Sequence, residues 1–73
     1  MSELEASGYK GHALQLLKAA DCNVGDILKI TSKDKSYEGI LIPRFGEGQA
    51  IIIKMKLRKY EGEKTMVLRK MLP

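Results

Sequence analysis

IIIKMKLRK, residues Ile51 to Lys59, is the stretch on which the fold turns. Ile51, Ile53, Met55 and Leu57 alternate with Ile52, Lys54, Lys56 and Arg58. A period of two is that of an extended strand whose successive side chains point to opposite faces. The alternation predicts one strand with an apolar face turned inward and a basic face in water.

Reading outward from it, the neighbouring segments are also short and β-rich. Downstream, Glu61-Gly62-Glu63 reads as a turn, and Thr65 to Leu72 as a returning strand carrying Arg69 and Lys70. Upstream, Phe45-Gly46-Glu47-Gly48 reads as a loop, and Tyr37 to Pro43 as a strand with Gly39 inside it. A glycine within a strand marks a bulge, a bend or a close backbone approach. Pro43 has no N–H to donate, so that strand ends there or lies at an edge. Lys33-Asp34-Lys35 is a polar turn, Ile27 to Thr31 another strand, and Val24-Gly25-Asp26 the turn that leads into it.

The period changes before residue 24. Tyr9, Ala13, Leu16, Leu17 and Ala20 make one apolar stripe at helical spacing, which predicts a helix over about 9–20. Ser7 is the expected N-cap, and Gly11 is expected to weaken the helix by roughly 1 kcal/mol relative to alanine. Residues 1–8 read as a frayed lead. A helix this short needs a surface to pack on. The expected architecture is mainly β: a small SH3-like or Sm-like antiparallel barrel over about 24–73, preceded by one short N-terminal helix, all within one domain of 73 residues.

Composition narrows the function classes. Apolar content of 44% and charged content of 30% are those of a folding chain rather than a disordered one. Cys22 is the one cysteine, so no intramolecular disulfide can form, which fits a reducing cytoplasm. The longest apolar run, Ala50 to Ile53, is far short of the roughly 20 residues that span a bilayer. Residues 1–36 carry five basic and five acidic side chains, and residues 37–73 carry eight and four, so the whole net charge of +4 lies in the second half. That asymmetry points to an acidic partner, RNA included.

Catalytic chemistry is not legible. His12 is the one histidine, with no second imidazole at helical spacing and no thiolate pair, so no metal site is expected. The serines have no oriented base, Glu38 stands alone on a strand, and Gly46-Glu47-Gly48 is too short and too acidic to cradle phosphate. No cofactor is expected. The basic face remains: Lys54, Lys56 and Arg58 in a row, Lys59 beside them, and Arg69 and Lys70 on the returning strand. These six are the candidate nucleic-acid-binding residues, since small barrels hold RNA on strand faces that carry cations and aromatics. The aromatics are few: Tyr9, Tyr37, Phe45 and Tyr60.

Four stretches, GYKGHALQLL, NVGDILKI, SYEGILIPR and AIIIKMK, occur in this order over roughly residues 8–56. Together they resemble the N-terminal domain of the D subunit of archaeal glutamyl-tRNA(Gln) amidotransferase. The shared features are Val24-Gly25-Asp26 opening a strand, Tyr37-Glu38-Gly39 in a strand that ends at Pro43-Arg44, and Ile51-Ile52-Ile53-Lys54-Met55. Leu57-Arg58-Lys59-Tyr60 departs from the Asn-Gly-Tyr-Asn turn usual in that family. The resemblance implies a small β-barrel placed before an asparaginase-like amidase domain. In such enzymes this polypeptide frees ammonia from an amide donor, and a partner polypeptide uses it on tRNA-bound glutamate. The resemblance also implies that the catalytic threonines, aspartate and lysine belong to the amidase domain, with no counterpart among these residues. Two functions stay open: a non-catalytic accessory domain that contacts amidotransferase subunits or tRNA, and a stand-alone barrel that binds RNA through its basic face.

Overall fold

The computed structural model describes residues 3–45, 50–62 and 67–71. Two helices, α1 (Glu3–Ala6) and α2 (Gly11–Ala19), precede five strands: β1 (Ile27–Ser32), β2 (Lys35–Leu41), β3 (Ile52–Lys54), β4 (Lys59–Glu61) and β5 (Val67–Met71). All pairings are antiparallel, and the strand order is β4-β3-β2-β1-β5. The expected mainly β class holds. The sheet is an open one of five strands, with no β4–β5 pairing among the described residues.

The deciding stretch is two strands and not one. Ile51 and Ile53 are fully buried, as the alternation predicts, but Met55 is only half-buried and Leu57 is 97% exposed. The chain reverses after β3. Lys54 faces Lys59, and the Met55 N–H donates to the Arg58 carbonyl at 2.8 Å, which leaves Lys56 and Leu57 as the hairpin tip. No Gly, Pro, Asn or Asp marks this reversal. A two-residue loop shifts the alternation by one, so Arg58 takes the side of Met55 and Lys59 that of Lys54. With Leu57 at the exposed tip and a polar Arg58 after it, the apolar pattern does not reveal the shift. Glu61, expected in a turn, therefore lies in β4, and the Gly62 N–H extends the ladder to the Ile51 carbonyl at 2.7 Å. The expected termini of the returning strand, Thr65 and Leu72, lie outside the described residues, as do Gly46, Glu47, Gly48 and Glu63.

The N-terminal expectations need two further corrections. The lead is not frayed over 3–8: Glu3–Ala6 is helical, and Leu4 is buried at 3% exposure. Ser7 does not cap α2. Its N–H closes α1 onto the Glu3 carbonyl, its own carbonyl accepts from the Arg44 N–H at 2.8 Å, and the cap position falls to Lys10. Tyr9 consequently precedes the helix. Gly11 opens it at φ 61, so it serves the entry rather than weakening the interior. At the other end, the N–H groups of Asp21 and Cys22 bond back to the carbonyls of Lys18 and Leu17, with Asp21 left-handed at φ 56. This is the Schellman closure, and the buried pair Leu17 and Cys22 supplies its apolar contact.

Helix and sheet share one core. Ala13 and Leu17 of α2, with Leu4 and Tyr9, pack against Leu28, Ile30, Leu41, Ile51 and Ile53. Gly39 is the close approach that the sequence signals: a Cβ there would lie 2.6 Å from the Lys54 carbonyl oxygen, nearer than real Cβ contacts allow. The absent side chain lets β3 cross tightly over β2. The stretch SYEGILIPRF is thus scaffold. β2 ends at Leu41, and the residues after it clamp the N-terminal segment: Ile42 accepts from the Tyr9 hydroxyl at 2.6 Å and Arg44 donates to Ser7. Val24-Gly25-Asp26 has a similar purpose. Gly25 N–H donates to Leu41 and Leu41 N–H to Asp26, while the Asp26 carboxylate accepts from the Asn23 N–H at 2.8 Å.

Candidate nucleic-acid interface

The β3–β4 hairpin gathers four of the six candidate cations. Lys54 and Lys59 are direct cross-strand partners, and Lys56 and Arg58 flank Leu57 at the tip. All four are exposed. Among the described residues, none of the four is ion-paired. Like charges directly opposite each other destabilise a strand pair. The row read from the sequence is thus a basic hairpin, folded back on itself, with its cations closer together than one extended strand would hold them.

The other two candidates lie elsewhere. Arg69 is exposed on β5, at the far end of the strand order, opposite Lys29 of β1. Lys29 in turn faces Glu38 on β2. Lys70 stands on the other side of β5, opposite Leu28, and its ammonium lies 3.5 Å from the Asp26 carboxylate. Lys29 was not among the residues read from the sequence, because cross-strand register is what sets it beside Arg69.

Sequence reasoning also missed the aromatic arrangement. Tyr37 and Tyr60 stack with ring centroids 3.8 Å apart and planes 15° from parallel. They sit on β2 and β4, which have β3 between them. Alternate strands of a flat sheet stand roughly 10 Å apart, so the contact requires the sheet to curl toward its core face. On the opposite face Ile27 and Ile40 are cross-strand partners, and each is nearly half exposed. They join Met55, Glu38, Lys54 and Lys56 around a shallow groove of about 440 Å³.

The nucleophile inventory is poor. Cys22 is 1% exposed, and burial together with the Asp26 carboxylate pushes its thiol up to about 11. A thiol so protonated is inert at neutral pH. His12 is exposed on α2. Among the described residues no group of three His, Cys, Asp or Glu side chains could hold a metal ion, and no helix is long and apolar enough to cross a membrane.

The family model for the GatD N-terminal domain matches residues 22–57. The D subunit of glutamyl-tRNA(Gln) amidotransferase from Metallosphaera sedula is 35% identical over 46 residues, which span 63% of this chain and 10% of that protein. The chain contains a GatD-like N-terminal domain. The matched span runs from Cys22 through β1, β2 and β3 to Leu57 at the hairpin tip. It takes in the Asp26 turn, the Gly39 crossing and the clamp at Ile42–Arg44. Arg58, Lys59 and Tyr60 follow the span that the family model matches. The chain spans about a tenth of the length of the curated relative it matches.

Proposed function

We propose that this GatD-like domain is a non-catalytic accessory module that contacts tRNA through its β3–β4 hairpin. The observation that carries the reading is the crowding of Lys54, Lys56, Arg58 and Lys59 in one exposed hairpin, with Lys54 directly opposite Lys59 and no counter-charge on them among the described residues. A phosphate backbone relieves that repulsion on binding, and the release of its counterions drives association. The relative's name supplies the RNA class, a glutamyl-tRNA(Gln). The protonated, buried Cys22 and the absence of a second imidazole beside His12 support a binding role over catalysis. The meander order β4-β3-β2-β1-β5 and the curl drawn by Tyr37 and Tyr60 support a small SH3-like or Sm-like barrel. The cytoplasm, where tRNA is charged, is the proposed location.

Titration of tRNA at several salt concentrations tests this. Four phosphate contacts predict micromolar-range binding at low salt, with log K falling against log salt at a slope of about −3. Replacing Lys54, Lys56 and Arg58 by alanine should abolish it. A salt-independent affinity, or unchanged binding by the triple variant, sinks the reading.

The Ile27–Ile40 pair favours a second reading, a protein contact on the outer face. Another polypeptide of an amidotransferase would cover these isoleucines, and Ile27→Glu should then abolish co-purification with it. Retention of that polypeptide by the variant removes the outer face from consideration.

A further inference from the structure

The tyrosine stack borders a second groove, separate from the basic hairpin tip. Tyr37 and Tyr60 are half-buried on the core-facing side of the sheet, as cross-strand partners of Ile30 and Ile53. With Ser32, Lys33, Asp34 and Lys35 of the β1–β2 hairpin they line a groove of about 290 Å³. Ser32 and Lys35 are partners in register, so Lys33 and Asp34 form a two-residue loop. Lys33 holds a left-handed φ of 56, a conformation that favours glycine in such a loop. A lysine there keeps an ammonium at the groove rim in spite of the backbone strain. Lys33 and Lys35 are both exposed.

The groove combines three elements of single-strand recognition. Tyrosine rings offer a flat surface on which any base can stack. Two ammonium groups can take a phosphate. Asp34 between them offers an acceptor for a ribose hydroxyl or a base amino group. The volume lies at the bottom of the roughly 300–1,000 Å³ typical of small-molecule sites, so it suits one nucleotide and excludes a duplex. We infer that this groove binds a single unpaired RNA nucleotide, with its base against the Tyr37–Tyr60 surface and its phosphate between Lys33 and Lys35. The inference rests on the RNA reading above but uses other residues, since none of Lys54, Lys56, Arg58 and Lys59 lines the groove.

The test is a titration of the full chain with hexauridylate and, separately, with tRNA at low salt. The chain has no tryptophan, so its intrinsic fluorescence reports on tyrosine directly. Hexauridylate should quench that fluorescence and shift the amide resonances of Lys33 to Tyr37 and of Tyr60. Lys33→Gln combined with Lys35→Gln should weaken hexauridylate roughly tenfold with the circular dichroism unchanged. Tyr60→Phe should bind as the parent does, and Tyr60→Leu should lose roughly tenfold or more. Shifts confined to β3 and β4 overturn the inference and leave the tRNA reading standing. Failure of both RNAs to bind overturns both. A proline-rich peptide that shifts the groove resonances where hexauridylate does not also overturns it, and makes the groove a protein-binding one.

Discussion

Tyr9→Phe should be among the costliest conservative substitutions in this chain. Tyr9 is 2% exposed, and its hydroxyl joins three segments. It donates to the Ile42 carbonyl at 2.6 Å and accepts from the Ile52 N–H at 3.3 Å. Removing one oxygen leaves both backbone groups without that partner in a dry environment. A buried donor or acceptor left unsatisfied costs about 1–3 kcal/mol. The longer bond belongs at the low end of that range, so the sum is about 2–3 kcal/mol. The total stability of a domain this size is of order 4–11 kcal/mol, so the loss is a large fraction of it. Urea denaturation followed by far-UV circular dichroism should show a lower midpoint at unchanged slope, and Tm should fall by about 10–20 °C. Tyr37→Phe, which keeps its stack on Tyr60, should stay within about 0.5 kcal/mol of the parent. Alkaline pH gives an independent measure. Burial raises the Tyr9 hydroxyl above its ordinary 10.0, so the unfolded chain ionises first. This contribution is complete below pH 10 and is lost as pH rises through the folded value. The Phe variant should lack that part of the alkaline decline. If Tyr9→Phe matches the parent in urea and in base, the N-terminal segment is not held by this hydroxyl and the clamp described above is wrong.

Asp21→Gly should stabilise the domain by about 0.5–1 kcal/mol, because the Schellman position at φ 56 strains any residue with a Cβ; thermal melts would show a higher Tm. Gly8→Ala should cost about 3 kcal/mol, since Gly8 has φ 97 and a Cβ there would overlap the Arg44 carbonyl oxygen; a variant of parental stability would mean that segment sits elsewhere. Cys22 should react with a disulfide reagent at pH 8 only as fast as the fold opens, so mild urea should accelerate modification. Its raised thiol adds stability below pH 9.0 that is lost as pH rises toward about 11, and Cys22→Ala should flatten the decline across that window.

Local chemistry made much of this domain legible from sequence. The stripe of Ala13 and Leu17, the inward Ile51 and Ile53, the turn at Val24-Gly25-Asp26 and the close approach at Gly39 each follow from short-range rules of period, φ and side-chain size. The kinship was legible as well, because those stretches lie in order along the chain. Long-range geometry was not. The return of Lys59 to Glu61 as a strand depends on β3 offering an edge, and the two-residue loop shifts the alternation by one residue, so that Lys59 and not Arg58 shares the face of Lys54. The pairing of Lys54 with Lys59 and the stacking of Tyr37 on Tyr60 depend on that return and on the curl of the sheet. The docking of Glu3–Ala6 depends on Tyr9 and Arg44 reaching backbone groups more than thirty residues away. Sequence fixes which side chains are available and which face of an element each one takes. Which faces meet is set by the burial of one common core, and that is where the cations and the tyrosines become neighbours.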